Sequence, residues 1–172
     1  ELRKGHSKVI EEEHTLLLGW NERVTEILRE LVLANESEDD PCVVILSRLE
    51  KEDMDDYLAL HRPDTQNTRV VTRSGSESSL INLDVVSVGK AKSIIVLANC
   101  NPSADDDVKA SSDHTVIKTI LAVTASLPED NETPIIAEIF HERNREVVND
   151  ISEDVITVDA NEILAKIMVQ TS

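Results

Sequence analysis

A chain of 172 residues, 40% hydrophobic and 2% aromatic, is sized for one domain around an aliphatic core. It is too apolar for a disordered acidic segment and too short for two full domains. Thirty-four acidic residues against 17 basic ones leave a formal net charge of −17, which repels phosphate backbones and anionic lipid and so argues against nucleic-acid or membrane-surface binding.

The charged lead-in from Glu1 to Glu13 has neither a basic-then-apolar leader nor an initiator Met, and reads as the interior of a longer polypeptide. His14 to Gly19 then predicts a strand, and Val24, Ile27, Leu28, Leu31 and Val32 recur at helical spacing. Cys42 to Leu46, bounded by Asp39-Asp40-Pro41, predicts a fully buried strand, followed by an acidic helix over Glu50 to Leu60. Arg69 to Thr72 predicts a third strand, with a turn at Arg73-Ser74-Gly75-Ser76 leading into a short helix through Leu80 and Leu83. Ser93 to Ala98 is the fourth strand. A polar loop over Asn99 to Asp107 precedes a long helix to Ser126 whose apolar side carries Val108, Val116, Ile120 and Val123. Thr133 to Phe140, Glu146 to Ile151 and Val155 to Val158 predict strand, helix and strand. Asp159 and Glu162 form a capping box for a last helix with Ile163, Leu164, Ile167 and Met168 on its apolar face.

Six apolar strands alternating with helices predict an α/β fold, a Rossmann-like doubly wound sheet of mainly parallel strands with helices on both faces. The longest apolar runs have five residues, Cys42–Leu46 and Ile94–Ala98, against roughly 20 for a membrane span. Cys42 and Cys100 lack metal-ligand spacing and suit reduced, half-buried thiols.

In such a sheet a ligand sits beyond the carboxyl ends of the strands, beside the first and fourth. A dinucleotide site needs Gly-x-Gly-x-x-Gly after the first strand, so that backbone can approach the pyrophosphate. The residues here are Gly19-Trp20-Asn21-Glu22-Arg23-Val24. Only Gly19 remains of the motif, with Asn21 where phosphate would lie, so NAD is not expected; the plainer reading makes Gly19 a tight turn and Asn21 a helix cap. The three aromatic residues, Trp20, Tyr57 and Phe140, predict no stacking platform for bases or sugars. Asn99, Asp105, Asp106 and Glu138 fall near the carboxyl ends of the fourth and fifth strands and form a weak candidate calcium set, although acidic residues also suit a helix start. His141-Glu142 opens like a zinc-protease helix, but Arg145 stands where the second histidine belongs, and no nucleophile elbow is present. No catalytic set emerges.

The segments Leu2-Arg3-Lys4-Gly5-His6-Ser7-Lys8-Val9-Ile10-Glu11-Glu12-Glu13-His14, Leu16-Leu17-Leu18-Gly19-Trp20, Arg73-Ser74-Gly75-Ser76 and Val86 to Ala98 resemble the CASTOR/POLLUX ion-channel family. The resemblance covers nearly the whole chain and implies an RCK (regulator of conductance) domain over 14–172, with residues 1–13 as the linker from a pore helix. It implies a ligand-sensing, non-catalytic gating module on the cytoplasmic face of a membrane. Its partners would be its own pore domain and neighbouring RCK domains, eight to a ring under a tetrameric channel. The acidity and short loops suit a bacterial homologue at least as well as a plant one. The family also implies calcium regulation. Of the calcium ligands of better-known RCK potassium channels only Glu138 has a match here, since Leu97-Ala98 and Phe140 stand at the other positions. The alternatives are a free-standing nucleotide-binding subunit of a potassium transporter and, further off, a fragment of an NAD-dependent enzyme.

Overall fold

Six strands, all parallel, form one sheet in the order β3-β2-β1-β4-β5-β6 in a computed structural model that describes residues 4–61 and 63–171. The strands are β1 (Thr15–Leu18), β2 (Cys42–Ser47), β3 (Arg69–Ser74), β4 (Ser93–Val96), β5 (Ile135–Glu138) and β6 (Val155–Val158). The helices are α1 (Val24–Ala34), α2 (Lys51–His61), α3 (Leu80–Val85), α4 (Asp106–Ser126), α5 (Glu142–Ile151) and α6 (Ile163–Thr171), with a short 3-10 turn at Val88–Lys90. The Rossmann-like expectation holds, and strand order reverses between β1 and β4.

Alternation along the strands divides the core. Leu16, Leu18, Val44, Leu46, Ile94 and Val96 face α3, α4 and α5, where Leu83, Val116, Ile120, Val123 and Val148 complete one layer. Leu17, Val43, Ile45 and Ile95 face the other way, onto Ile27, Leu28 and Leu31 of α1, Met54 of α2 and Ile163 and Ile167 of α6. Both faces are thus covered, which is why β1, β2 and β4 are buried throughout and read as continuous apolar runs.

Element ends shift where tertiary contacts take over. β3 runs two residues beyond the expected Thr72 because Arg73 and Ser74 pair with Leu46 and Ser47. β5 is confined to Ile135–Glu138, inside the expected Thr133 to Phe140. Val108, expected on the apolar side of α4, is exposed.

Residues 1–3 of the lead-in lie outside the described residues. From Gly5 onward the lead-in is stitched to the domain. Gly5 O accepts from Ser74 N at 3.0 Å, Ser7 O from Arg73 Nε at 2.7 Å, and Val9 O from Ser87 Oγ at 2.6 Å. Val9 N in turn donates to Val85 O at 2.7 Å, and the Val9 side chain is buried in the core.

Candidate functional site

The β1–β4 switch point opens into a cleft of about 550 Å³. Its floor is Leu18 and Gly19, Val96 and Leu97, and its walls come from the turn after β1 (Trp20, Asn21, Glu22), the end of β2 (Ser47, Arg48, Leu49), Tyr57, Glu77, the loop after β4 (Asn99, Cys100, Asn101) and α4 (Thr115, Val116, Thr119). Parallel strands all point their carboxyl ends at this rim, so side chains far apart in sequence converge here.

Gly19 is required by geometry. Its φ of +103° and the carbonyl of Leu97, 3.0 Å from where a Cβ would stand, leave room for no side chain. Asn21 does what the cap expectation asked, accepting at the helix start from Arg23 N at 2.9 Å through Oδ1 and from Val24 N at 3.2 Å through its carbonyl, although Arg23 is the residue directly before α1. Its Nδ2 also donates to Ala98 O at 2.8 Å and to Glu138 Oε1 at 3.3 Å. It therefore ties the first turn to the ends of β4 and β5.

Glu138 is wholly buried. Its Oε1 accepts from Ala98 N at 2.9 Å, and Arg23 Nη1 lies 2.6 Å from its Oε2, an ion-pair contact without hydrogen-bond alignment. Arg23 Nη1 also donates to Ala160 O at 3.1 Å, ahead of α6. A buried carboxylate needs such a partner, because desolvation otherwise outweighs any other gain.

The four candidate calcium ligands are not brought together as a set. Glu138 is engaged by Arg23, Asn21 and Ala98, Asp106 faces His141 Nε2 at 2.9 Å, Asp105 sits exposed at the cap position of α4, and Asn99 is exposed with its N–H on Ser112 Oγ. Among the described residues no group of three or more His, Cys, Asp or Glu stands close enough to hold a metal ion.

Asp113, which sequence reasoning passed over, is fully buried and accepts from Phe140 N (2.8 Å), His141 N (3.0 Å) and Asn144 Nδ2 (2.8 Å), capping α5 from across the molecule. Its signal was present, since an Asp at the spacing of Val116, Ile120 and Val123 places a carboxylate on an apolar stripe. Arg23 had a fainter one, a cation at a helix start where the dipole disfavours it.

At the cleft mouth Arg48 Nε donates to Glu77 Oε2 at 3.2 Å, pairing the one cation that the described residues bring to the wall. Trp20 meets Tyr57 edge-to-face at 5.4 Å, and His61 stacks on Tyr57 at 3.8 Å. Two of the three aromatic residues thus stand side by side at the cleft, with one face of Tyr57 covered by His61. Cys42 and Cys100 are free thiols; burial pushes Cys42 up to about 11 and raises Cys100 as well, so neither is an activated nucleophile.

Strand order and cleft position define a Rossmann-type domain. The model of the calcium-activated potassium channel slowpoke-like RCK domain matches residues 11–137, and the chain belongs to that family. It is 35% identical over 170 residues to the ion channel CASTOR of Lotus japonicus and 34% identical over 170 residues to the ion channel POLLUX of the same plant, in each case across 98% of this chain. The resemblance to CASTOR and POLLUX is thereby borne out. The chain spans 19% and 18% of the length of those relatives. Among solved structures, the human SLO3 gating ring superposes with a TM-score of 0.56 at 20% identity, covering 84% of this chain and 24% of that one. The GsuK channel bound to NAD gives 0.50 at 22% identity, covering 88% and 23%. Among the described residues no helix is long and apolar enough to cross a membrane.

Proposed function

We propose that this RCK domain is the non-catalytic gating module of a cation channel, placed on the cytoplasmic face of the membrane with residues 1–13 joining it to a pore helix. It assembles with neighbouring RCK units into a ring of eight beneath a tetrameric pore. The observation that carries this reading is the similarity to ion channels along 98% of the chain. The cleft agrees with it, since among the described residues its cation, Arg48, is paired with Glu77, and its thiol Cys100 is not activated. The stitched lead-in supplies a mechanical path, because a slack tether would absorb a displacement that residues 5–13, bonded at Gly5, Ser7 and Val9, pass on.

Regulation is not routed through calcium at Asn99, Asp105, Asp106 and Glu138, since Arg23 already neutralises Glu138 and His141 faces Asp106. The test is ion flux through the full-length parent protein reconstituted in lipid vesicles, with and without Gly5→Pro in the lead-in. Flux in the parent protein and an altered open fraction in the variant are expected. A parent polypeptide that conducts no ions, or a purified domain that turns over a nicotinamide substrate, overturns the reading.

A further inference from the structure

We propose that Asn21 is a built-in substitute for a ligand's phosphate and makes the cleft of this domain exclude nucleoside diphosphates. This rests on the cleft being the domain's ligand site and is independent of whether the parent protein conducts ions. In doubly wound folds a diphosphate is held by free backbone N–H groups at the start of the first helix, with glycines giving it room. Here two amides at that helix start are spent internally. The Arg23 N–H goes to Asn21 Oδ1 at 2.9 Å and the Val24 N–H to Asn21 O at 3.2 Å.

The side chain that takes the first amide is 6% exposed and held from its other end by Ala98 O and Glu138 Oε1. Glu138 is itself locked by Ala98 N and by Arg23. Asn21 therefore cannot swing aside for a ligand without leaving a buried amide and a buried carboxylate short of partners. Glu22, exposed on the cleft wall, adds a negative charge beside the same helix start and opposes an anion a second time. Gly19 shapes the turn but supplies no further room, because the Leu97 carbonyl already stands against it. The residues present do not fit the nucleotide that the fold of the GsuK channel bound to NAD accommodates.

The experiment is calorimetric and thermal-shift titration of the chain with ADP and with NAD, on the wild type and on the double variant Asn21→Gly, Glu22→Ser. The wild type is expected to show no saturable heat, and the variant to bind ADP at least tenfold more tightly, with a midpoint that rises with ADP. Saturable ADP or NAD binding by the wild type overturns the proposal, as does a folded double variant with no gain. Amide hydrogen exchange on the wild type keeps the question decidable if the double variant does not fold. The Arg23 amide is expected to be protected in the free domain and unchanged by ADP within about twofold, whereas a tenfold slowing on ADP addition refutes the substitution. None of these outcomes bears on ion flux, so the channel reading stands or falls separately.

Discussion

His14 is buried where the lead-in meets β1, with Nε2 on Val86 O at 3.0 Å and Nδ1 without a partner. Burial holds its imidazole below the ordinary value of 6.5, against smaller opposing effects of the Val86 carbonyl and of Glu11 and Glu13. Below that ordinary value the unfolded chain takes up a proton that the folded one resists. Stability from this residue is thus complete above 6.5 and is lost as pH falls toward the lowered folded value. Urea midpoints are expected to drop as pH falls below about 6.5, and His14→Gln is expected to flatten that slope. Glu11, lowered by its hydrogen bonds to Arg69, acts in the same direction but only below its ordinary 4.5. Gly5 is the other residue with a sharp expectation. Its φ is +75°, and a Cβ there would stand 2.9 Å from Lys51 Cβ and 3.0 Å from Ser74 N. Gly5→Ala is expected to cost about 1–3 kcal/mol in urea unfolding and to speed hydrogen exchange along residues 5–13.

Among the elements, α5 shows most clearly how a distant residue decides a boundary. Periodicity places its start near Glu146, yet it begins at Glu142, because Asp113 on α4 accepts the Phe140 and His141 amides and the Asn144 side chain. Asp113→Ala is expected to cost about 2–3 kcal/mol, read by chemical denaturation, with exchange rising first in the opening turn of α5. The helix itself was legible and its start was not, since the capping group comes from another element. Likewise the glycine-poor turn after β1 was legible as a poor phosphate cradle from Gly19 to Val24 with Asn21 in the phosphate's place, whereas what locks Asn21 there was not. Two of the groups that lock it, Ala98 just past β4 and Glu138 at the end of β5, reach it only once β4 stands beside β1 and β5 beside β4. The calcium set of Asn99, Asp105, Asp106 and Glu138 rests on proximity to strand ends, a criterion that does not reveal Arg23 as the partner of Glu138.

At the scale of the whole molecule, both sheet faces are filled, yet apolar side chains remain exposed on the outer helices. Leu121 of α4 is 47% exposed and Met168 of α6 54%. Those helices are where the gating-module reading places contacts between RCK units, and exposed aliphatic side chains there suit such contacts. Leu121→Glu with Met168→Glu is expected to shift the purified domain toward monomer in sedimentation velocity while leaving urea stability within about 0.5 kcal/mol. A wild type that stays monomeric at high concentration contradicts that assembly.

What the sequence alone determined is the succession of strands and helices, their alternation about a parallel sheet and the absence of a glycine-rich phosphate loop. All of these are written in local periodicity and composition, because an element buries its apolar side wherever its neighbours lie. Only the tertiary structure decided that Arg23 meets Glu138, that Asn21 spans three strand ends and that the lead-in is bonded to β3 and the segment after α3. A polar side chain is satisfied by one partner at one distance, and which partner that is depends on strand order, which no local pattern encodes.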